Sequence, residues 1–108
     1  MRLSIIIPVY NEEKLVTEVL QQLESLHWPD FVESREIVLV DDSSDDQTHE
    51  VLRQWTANKA GYKLLQHSKN KGKGAAVRTG IAAATGDTIL IQDADLELSP
   101  NDIPLLLN

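Results

Sequence analysis

The 108-residue chain contains no cysteine, which excludes a disulfide framework, a thiolate metal site and a cysteine nucleophile. All its apolar runs are shorter than the ~20 residues that a membrane-spanning helix needs. The first run, residues 3–9, is too short for a signal peptide and contains Pro8, so we expect no signal peptide here. With five glycines, four prolines and 42% apolar residues, the composition is that of a globular domain, which excludes collagen-like and disordered chains.

The formal net charge is −7, and the charged residues are unevenly distributed along the chain. Residues 1–50 carry three basic and twelve acidic side chains, residues 51–86 carry seven basic and no acidic ones, and residues 87–108 carry five acidic and no basic ones. The middle segment is either a solvated basic face or a site for a small anion such as a nucleoside diphosphate. Nucleic acid is not an expected partner, because both acidic flanks would repel its phosphate backbone.

Four short apolar runs alternate with segments of helical periodicity. Runs of this length, bounded by polar or glycine-containing stretches, predict buried strands. Strands and helices that alternate with short connections predict an α/β fold, a Rossmann-like parallel sheet with helices on both faces. The predicted strands are residues 3–9, 36–40, 62–66 and 88–91.

Polar residues predict where the helices begin. The third helix, residues 72–84, is rich in small side chains and ends before Gly86. The expected caps are Asn11 for the first helix, one of Ser43, Ser44 and Asp45 for the second, and Ser99, followed by Pro100, for a last one.

A polar stretch follows each of the four predicted strands. In a parallel sheet the carboxyl ends of the strands meet at one edge, where ligands bind. Loops are polar in any protein, so this convergence alone favours neither a binding site nor an ordinary edge of polar loops. The stretches are Tyr10 to Glu12, Asp41 with Asp42, Lys69 to Gly74, and Asp93 with Asp95.

Two of these stretches suit a metal ion and a phosphate. Asp93 and Asp95 can bring two carboxylates to one divalent cation, and such oxygen ligands suit Mg²⁺ or Mn²⁺. Glu97 is either a third ligand or a solvated acid. Residues 70–75 open a helix whose backbone N–H groups can bind an anion, although the P-loop spacing is absent and a plain glycine turn is the alternative.

The remaining polar residues allow ligand contacts or purely structural ones. One aspartate of the pair Asp41 and Asp42 is expected to accept a hydrogen bond from a ribose hydroxyl or a base N–H. Tyr10 is expected either to stack on a base or to cover the sheet edge. His27 and His49 are expected at the surface, and no Ser-His-Asp set is apparent.

Four motifs then occur in a fixed order along the chain. They are Ile-Ile-Ile-Pro-Val-Tyr-Asn-Glu-Glu at 5–13, Val-Asp-Asp-Ser-Ser-Asp-Asp-Gln-Thr at 40–48, Asn-Lys-Gly-Lys-Gly-Ala-Ala at 70–76 and Asp-Ala-Asp-Leu-Glu at 93–97. Together they resemble family 2 glycosyltransferases, which have the glycosyltransferase A fold. The similarity is greatest to the branch that transfers a sugar to a polyprenyl phosphate of the dolichyl type.

The resemblance implies roles at the matched positions. Asp42, more than Asp41, is implied to recognise the base or ribose, and Asp95 is the surest metal ligand. Glu97 stands where polyprenyl-phosphate enzymes often have glutamine. The implied nucleotide-binding residues are Pro8, Tyr10, Glu12, Asp42, Lys69, Gly74, Arg78 and Asp93, and the implied metal ligands are Asp93, Asp95 and Glu97.

The implied reaction is transfer of a sugar, with inversion, from a UDP- or GDP-sugar to a lipid phosphate or a saccharide. Mg²⁺ or Mn²⁺ would stabilise the diphosphate leaving group. The resemblance covers the nucleotide-binding half of the family's catalytic domain, so the acceptor-binding half and the catalytic base are expected downstream of Asn108. The alternatives are a nucleotide-binding module without chemistry and another phosphate-handling α/β protein, such as a nucleotidyltransferase.

Two further expectations concern residues 1–108 by themselves, and a third concerns location. They are expected to bind a donor but to transfer little sugar. They are also expected to self-associate, because residues 88–91 form a strand that needs a second neighbour and residues 105–107 are apolar. The expected location is cytoplasmic, at the cytoplasmic face of a membrane in the full-length protein.

Overall fold

The computed structural model describes residues 1–94, which form four strands and three helices in alternating order. The helix expected to begin near Ser99 lies outside the described residues. No helix within this part of the chain is long and apolar enough to span a membrane. The elements are β1 (Arg2–Val9), α1 (Val16–Glu24), β2 (Ser34–Asp41), α2 (Thr48–Thr56), β3 (Tyr62–Gln66), α3 (Lys73–Ala83) and β4 (Thr88–Ile91).

The strands form one sheet in the order β3-β2-β1-β4, and every pair is parallel. The chain adds β2 and then β3 on one side of β1, and it returns through α3 to place β4 on the other side. The order therefore changes direction between β1 and β4. A crevice opens at the carboxyl ends of the strands at such a point, and it is where ligands bind in sheets of this kind.

Helices cover both faces of the sheet, as predicted, and the two faces differ in their packing. Alternate side chains of a strand point to opposite faces. The face with α1 and α2 carries the larger core, and the face with α3 carries a smaller one. The large core includes Leu3, Ile5, Ile7, Val9, Val16, Val19, Leu20, Leu23, Leu39 and Leu52, and the small core contains Ile6, Val38, Val40 and Ala76.

Small residues let α3 approach the sheet closely. A Cβ atom added at Gly80 would lie 2.4 Å from Cγ2 of Ile6 and 3.3 Å from Cγ2 of Val40. One added at Gly86, in the turn before β4, would lie 2.5 Å from the carbonyl oxygen of Arg2. Both positions therefore require glycine for steric reasons.

The side-chain caps predicted from sequence for α1 and α2 are wrong. α1 begins at Val16 without a side-chain cap, and the carbonyl of Glu12 accepts the N–H of Val16 instead. Asn11 has a positive φ of 51°, and its side-chain oxygen accepts the N–H of Asp45 at 2.8 Å, 34 residues away. At α2 the carboxylate of Asp46 accepts the N–H of Thr48. The side chain of Asn11 therefore makes a contact between two loops instead of capping a helix, and short-range rules do not include such contacts.

Candidate functional site

A cavity of about 410 Å³ lies at the carboxyl edge of the sheet. This volume is within the range of pockets that hold small molecules. Its walls come from four separate segments: the end of β1, the end of β2, the start of α3 and the residues after β4. The lining residues are Pro8, Val9, Tyr10, Glu12, Asp42, Asn70, Gly72, Lys73, Ala76, Asp93 and Ala94.

The cavity brings together most of the site residues predicted from sequence, though not all of them. Pro8, Tyr10, Glu12, Asp42 and Asp93 line it. The other predicted nucleotide-binding residues, Lys69, Gly74 and Arg78, are exposed and lie outside its lining. The remaining two predicted metal ligands, Asp95 and Glu97, lie outside the described residues.

The loop after β1 is fastened to the loop after β2. The Tyr10 hydroxyl donates to the Asp45 carboxylate at 3.3 Å, and the ring is 42% exposed beside the cavity. The negative charge of Asp45 raises the pKa of Tyr10, so the phenol stays protonated at neutral pH. The further bonds are Asn11 N–H to Ser44 Oγ at 3.0 Å and Glu12 N–H to Thr48 Oγ1 at 2.9 Å.

The neighbouring aspartates at the end of β2 have different surroundings. Asp41 is fully buried, and its carboxylate accepts the backbone N–H and the hydroxyl of Ser44. Its other oxygen lies 3.1 Å from Nδ1 of His49, so His49 packs against a buried carboxylate and is only partly exposed. Asp42 is also buried, but it lines the cavity. Asp41 is therefore a structural residue, and Asp42 is the member of the pair that can reach a ligand.

Asp42 organises the loop that leads into α3. Its carboxylate accepts the N–H groups of Lys71 at 2.9 Å and Gly72 at 2.8 Å, and its carbonyl accepts the Asn70 amide at 3.3 Å. Nδ1 of His67 lies 2.7 Å from the same carboxylate. Burial alone would raise the pKa of Asp42, but the hydrogen bonds from His67, Lys71 and Gly72 outweigh it and lower the pKa. The carboxylate is consequently ionised at neutral pH.

Sequence reasoning missed His67 in this region, and it included Lys73 in the stretch from Lys69 to Gly74 without giving it a role of its own. His67 lies one residue after β3 and shares no metal-ligand spacing with another histidine, so no local pattern marks it. Lys73 begins α3, and its ammonium group pairs with the carboxylate of Asp93 at the cavity. Its place in the motif at 70–76 is the signal that could have identified it.

The described part of the cavity offers one carboxylate from the predicted metal motif, Asp93. Within residues 1–94, no three acidic or histidine side chains come together in a way that could hold a metal ion. The donor chemistry of Asp93 nevertheless suits a hard cation, because its side chain is an oxygen ligand with 27% exposure at the cavity.

Comparison with known proteins identifies the class first. The parallel sheet, its helices and its carboxyl-edge cavity define a glycosyltransferase A fold. Residues 4–108 match the family described as Glycosyl transferase family 2, and the chain belongs to this family. The resemblance predicted from the four motifs is thus confirmed.

Individual relatives share similar levels of identity with the chain. It is 37% identical, over 99% of its length, to a dolichol-phosphate mannosyltransferase of Pyrococcus furiosus, of which it covers 29%. It matches the structure of Staphylococcus aureus TarS 1–349 in complex with UDP-GlcNAc with a TM-score of 0.76 and 35% identity, over 88% of this chain and 27% of that one. It matches the mannosyltransferase PcManGT of Pyrobaculum calidifontis, in complex with GDP-Man and Mn²⁺, with a TM-score of 0.78 and 28% identity, over 98% and 32%. The chain spans about a third of the length of these relatives.

Proposed function

We propose that the chain binds the nucleoside diphosphate part of a nucleotide-sugar, as the donor-binding part of an inverting glycosyltransferase. The observation that carries the proposal is that four sequence-distant motifs contribute side chains to one cavity. The complexes of TarS with UDP-GlcNAc and of PcManGT with GDP-Man support this substrate class, since both proteins share the fold of this chain.

Each wall of the cavity suits a different part of such a ligand. A carboxylate has about four acceptor positions, and protein groups use three of those on Asp42, so one more N–H or O–H of a base or ribose can bind. The exposed ring of Tyr10 can stack on a base. The N-terminus of α3, which carries partial positive charge, and the ammonium group of Lys73 suit a diphosphate.

The proposed cofactor is Mg²⁺ or Mn²⁺, held by Asp93 with Asp95 and Glu97 as further ligands from the same motif. A divalent cation would act as a Lewis acid that stabilises the charge developing on the diphosphate leaving group. The presence of Mn²⁺ beside GDP-Man in PcManGT supports this choice.

The proposed acceptor is a polyprenyl phosphate, and the name of the Pyrococcus furiosus relative supports it. A phosphate acceptor is already anionic, so the transfer requires no general base on this chain. We further propose that the acceptor is bound by parts of the full-length protein other than residues 1–108, at the cytoplasmic face of a membrane. Residues 1–108 alone should then bind a donor and transfer little sugar.

Calorimetric titration of residues 1–108 with UDP and GDP, with and without Mn²⁺, tests the proposal. We expect one of the two nucleotides to bind in the presence of Mn²⁺, with about tenfold weaker binding in Asp93→Asn, equivalent to about 1.4 kcal/mol. Asp30→Asn is the matched control, because Asp30 is exposed and lies outside the cavity lining. Absence of binding to either nucleotide, or equal affinity in Asp93→Asn and the wild type, would contradict the proposal.

A further inference from the structure

We infer that His67 is a positioning residue, which orients Asp42 and through it fixes the loop of residues 70–72 for the nucleotide. The part of the inference that concerns the nucleotide rests on the proposed function. The part that concerns the loop can be tested without any ligand.

His67 connects three elements from a buried position. Its side chain is 7% exposed, and its backbone N–H donates to the carbonyl of Asp41 at the end of β2. Nδ1 lies 2.7 Å from Oδ1 of Asp42, and Nε2 lies 2.8 Å from the hydroxyl of Thr79 on α3. The imidazole therefore bridges the end of β2 and the body of α3.

The chemistry of the partners fixes the direction of these hydrogen bonds. An ionised carboxylate only accepts, so Nδ1 carries the proton shared with Asp42. In the neutral ring Nε2 is then an acceptor, and the Thr79 hydroxyl donates to it. In the protonated ring Nε2 donates, and the same hydroxyl accepts. Because a hydroxyl can do both, the ring keeps both contacts in either protonation state.

The orientation of the Asp42 carboxylate in turn fixes the backbone of the loop. Its carboxylate also accepts the N–H groups of Lys71 and Gly72, and Gly72 has a φ of 94°, which only glycine adopts readily. Asn70 and Gly72 line the cavity, and α3 starts directly after them. A carboxylate that has lost His67 can rotate, and the loop then loses the arrangement that the nucleotide requires.

Three substitutions at His67 separate its two contacts. In His67→Asn the amide nitrogen can occupy the place of Nδ1, next to Asp42. In His67→Gln the longer side chain can occupy the place of Nε2, next to Thr79. His67→Leu removes both contacts but fills similar space. Thr79→Val removes only the second contact.

The first measurement is made on the ligand-free chain. We expect the amide proton resonances of Lys71 and Gly72 to keep their positions in His67→Asn and Thr79→Val. In His67→Leu and His67→Gln they should move upfield, and their hydrogen exchange should become about tenfold faster, the effect of losing about 1.4 kcal/mol.

The second measurement is the affinity for UDP and GDP with Mn²⁺. We expect about a tenfold loss in His67→Leu and His67→Gln, and wild-type affinity in His67→Asn. Unchanged amides in His67→Leu, or rescue by glutamine where asparagine fails, would overturn the inference. If His67→Leu does not fold, the asparagine and glutamine variants make the same comparison. If the wild type binds neither nucleotide, the proposed function fails, while the amide signals still decide whether His67 positions the loop.

Discussion

The two ends of α3 are held by carboxylates of the same part of the chain. At the start of the helix, Asp42, directly after β2, accepts the N–H groups of Lys71 and Gly72. Beyond its end, Glu36, within β2, accepts the N–H of Thr85 at 2.6 Å and the hydroxyl of Ser4 at 2.6 Å. A carboxylate thus accepts loop N–H groups at both ends of the helix, two at its start and one beyond its end.

The two carboxylates differ in what surrounds their partners. Asn70 and Gly72, which donate hydrogen bonds to Asp42, line the cavity. None of the residues that donate hydrogen bonds to Glu36 lines it. Burial alone would raise the pKa of Glu36, but hydrogen bonds from Ser4 and Thr85 outweigh it and lower the pKa to about 2. A strongly perturbed carboxylate is therefore no sign of a ligand site here. Its position relative to the cavity separates the functional group from the structural one.

The largest expected effect is that of Asp42→Asn. The amide keeps one acceptor oxygen but turns an NH₂ group towards donors, so a partly buried N–H group of Lys71 or Gly72 loses its partner. We expect a loss of about 2–3 kcal/mol in the free energy of unfolding, measured in urea. Nucleotide affinity should fall by about tenfold or more. Glu36→Gln is the control at the other end of α3, and it should leave the affinity unchanged. Equal losses of affinity in both variants would remove the distinction between the two ends.

A substitution in the middle of α3 tests how much close packing on the sheet, in addition to the two carboxylates, keeps the helix in place. In Gly80→Ala the new methyl group would lie 2.4 Å from Cγ2 of Ile6, a branched side chain that cannot move away within the strand. We expect destabilisation by about 1–3 kcal/mol in urea denaturation. Gly74→Ala is the matched control, because its methyl group would meet only the Arg78 guanidinium at 3.4 Å. That variant should be neutral or slightly more stable, and similar losses in both would indicate a general intolerance of alanine in α3.

Glu36→Gln has a smaller expected effect, with a pH dependence of defined sign. At neutral pH we expect a loss of about 1–2 kcal/mol in the free energy of unfolding. The folded-state pKa of Glu36, about 2, lies below the ordinary value of 4.5. The stabilisation is therefore complete above pH 4.5 and is lost as the pH falls towards 2. Urea denaturation over this range should show the difference between wild type and variant shrinking, and a constant difference would show that the carboxylate charge is not responsible.

The fold could be predicted because its determinants are local. Residues 62–66 and 88–91 are short runs with an apolar centre, Leu64 with Leu65 and Ile89 to Ile91, and the structure gives the predicted bounds for both strands. The failure of Asn11 as a predicted cap depends on a distant contact instead. Asn11 binds the N–H of Asp45, and no rule for neighbouring residues includes that pairing.

The candidate site was predictable to the extent that its residues directly follow strands. Tyr10 and Asp42 do so, Asp93 follows β4 after one intervening residue, and all three line the cavity. His67 also follows a strand, but its partners, Asp42 and Thr79, are 25 and 12 residues away, and only the three-dimensional structure brings them together. The different fates of Asp41 and Asp42 depend likewise on the packing around β2, because both are aspartates in the same motif.

The smallest expected effect concerns β4, which follows the Glu36 end of α3. Among the described strands β4 pairs only with β1, and Ile89 and Ile91 are 41% and 43% exposed. We therefore expect residues 1–108 to self-associate with rising concentration, as measured by light scattering. Ile89→Lys should weaken the association by about fivefold, or roughly 1 kcal/mol, because a charged edge strand resists pairing. Ile81→Lys on α3 is the control with equal exposure, 41%, and should have less effect. A wild-type chain that stays monomeric at high concentration would show that the β4 edge does not drive association. The end of the sheet that Glu36 stabilises would then need no further partner strand.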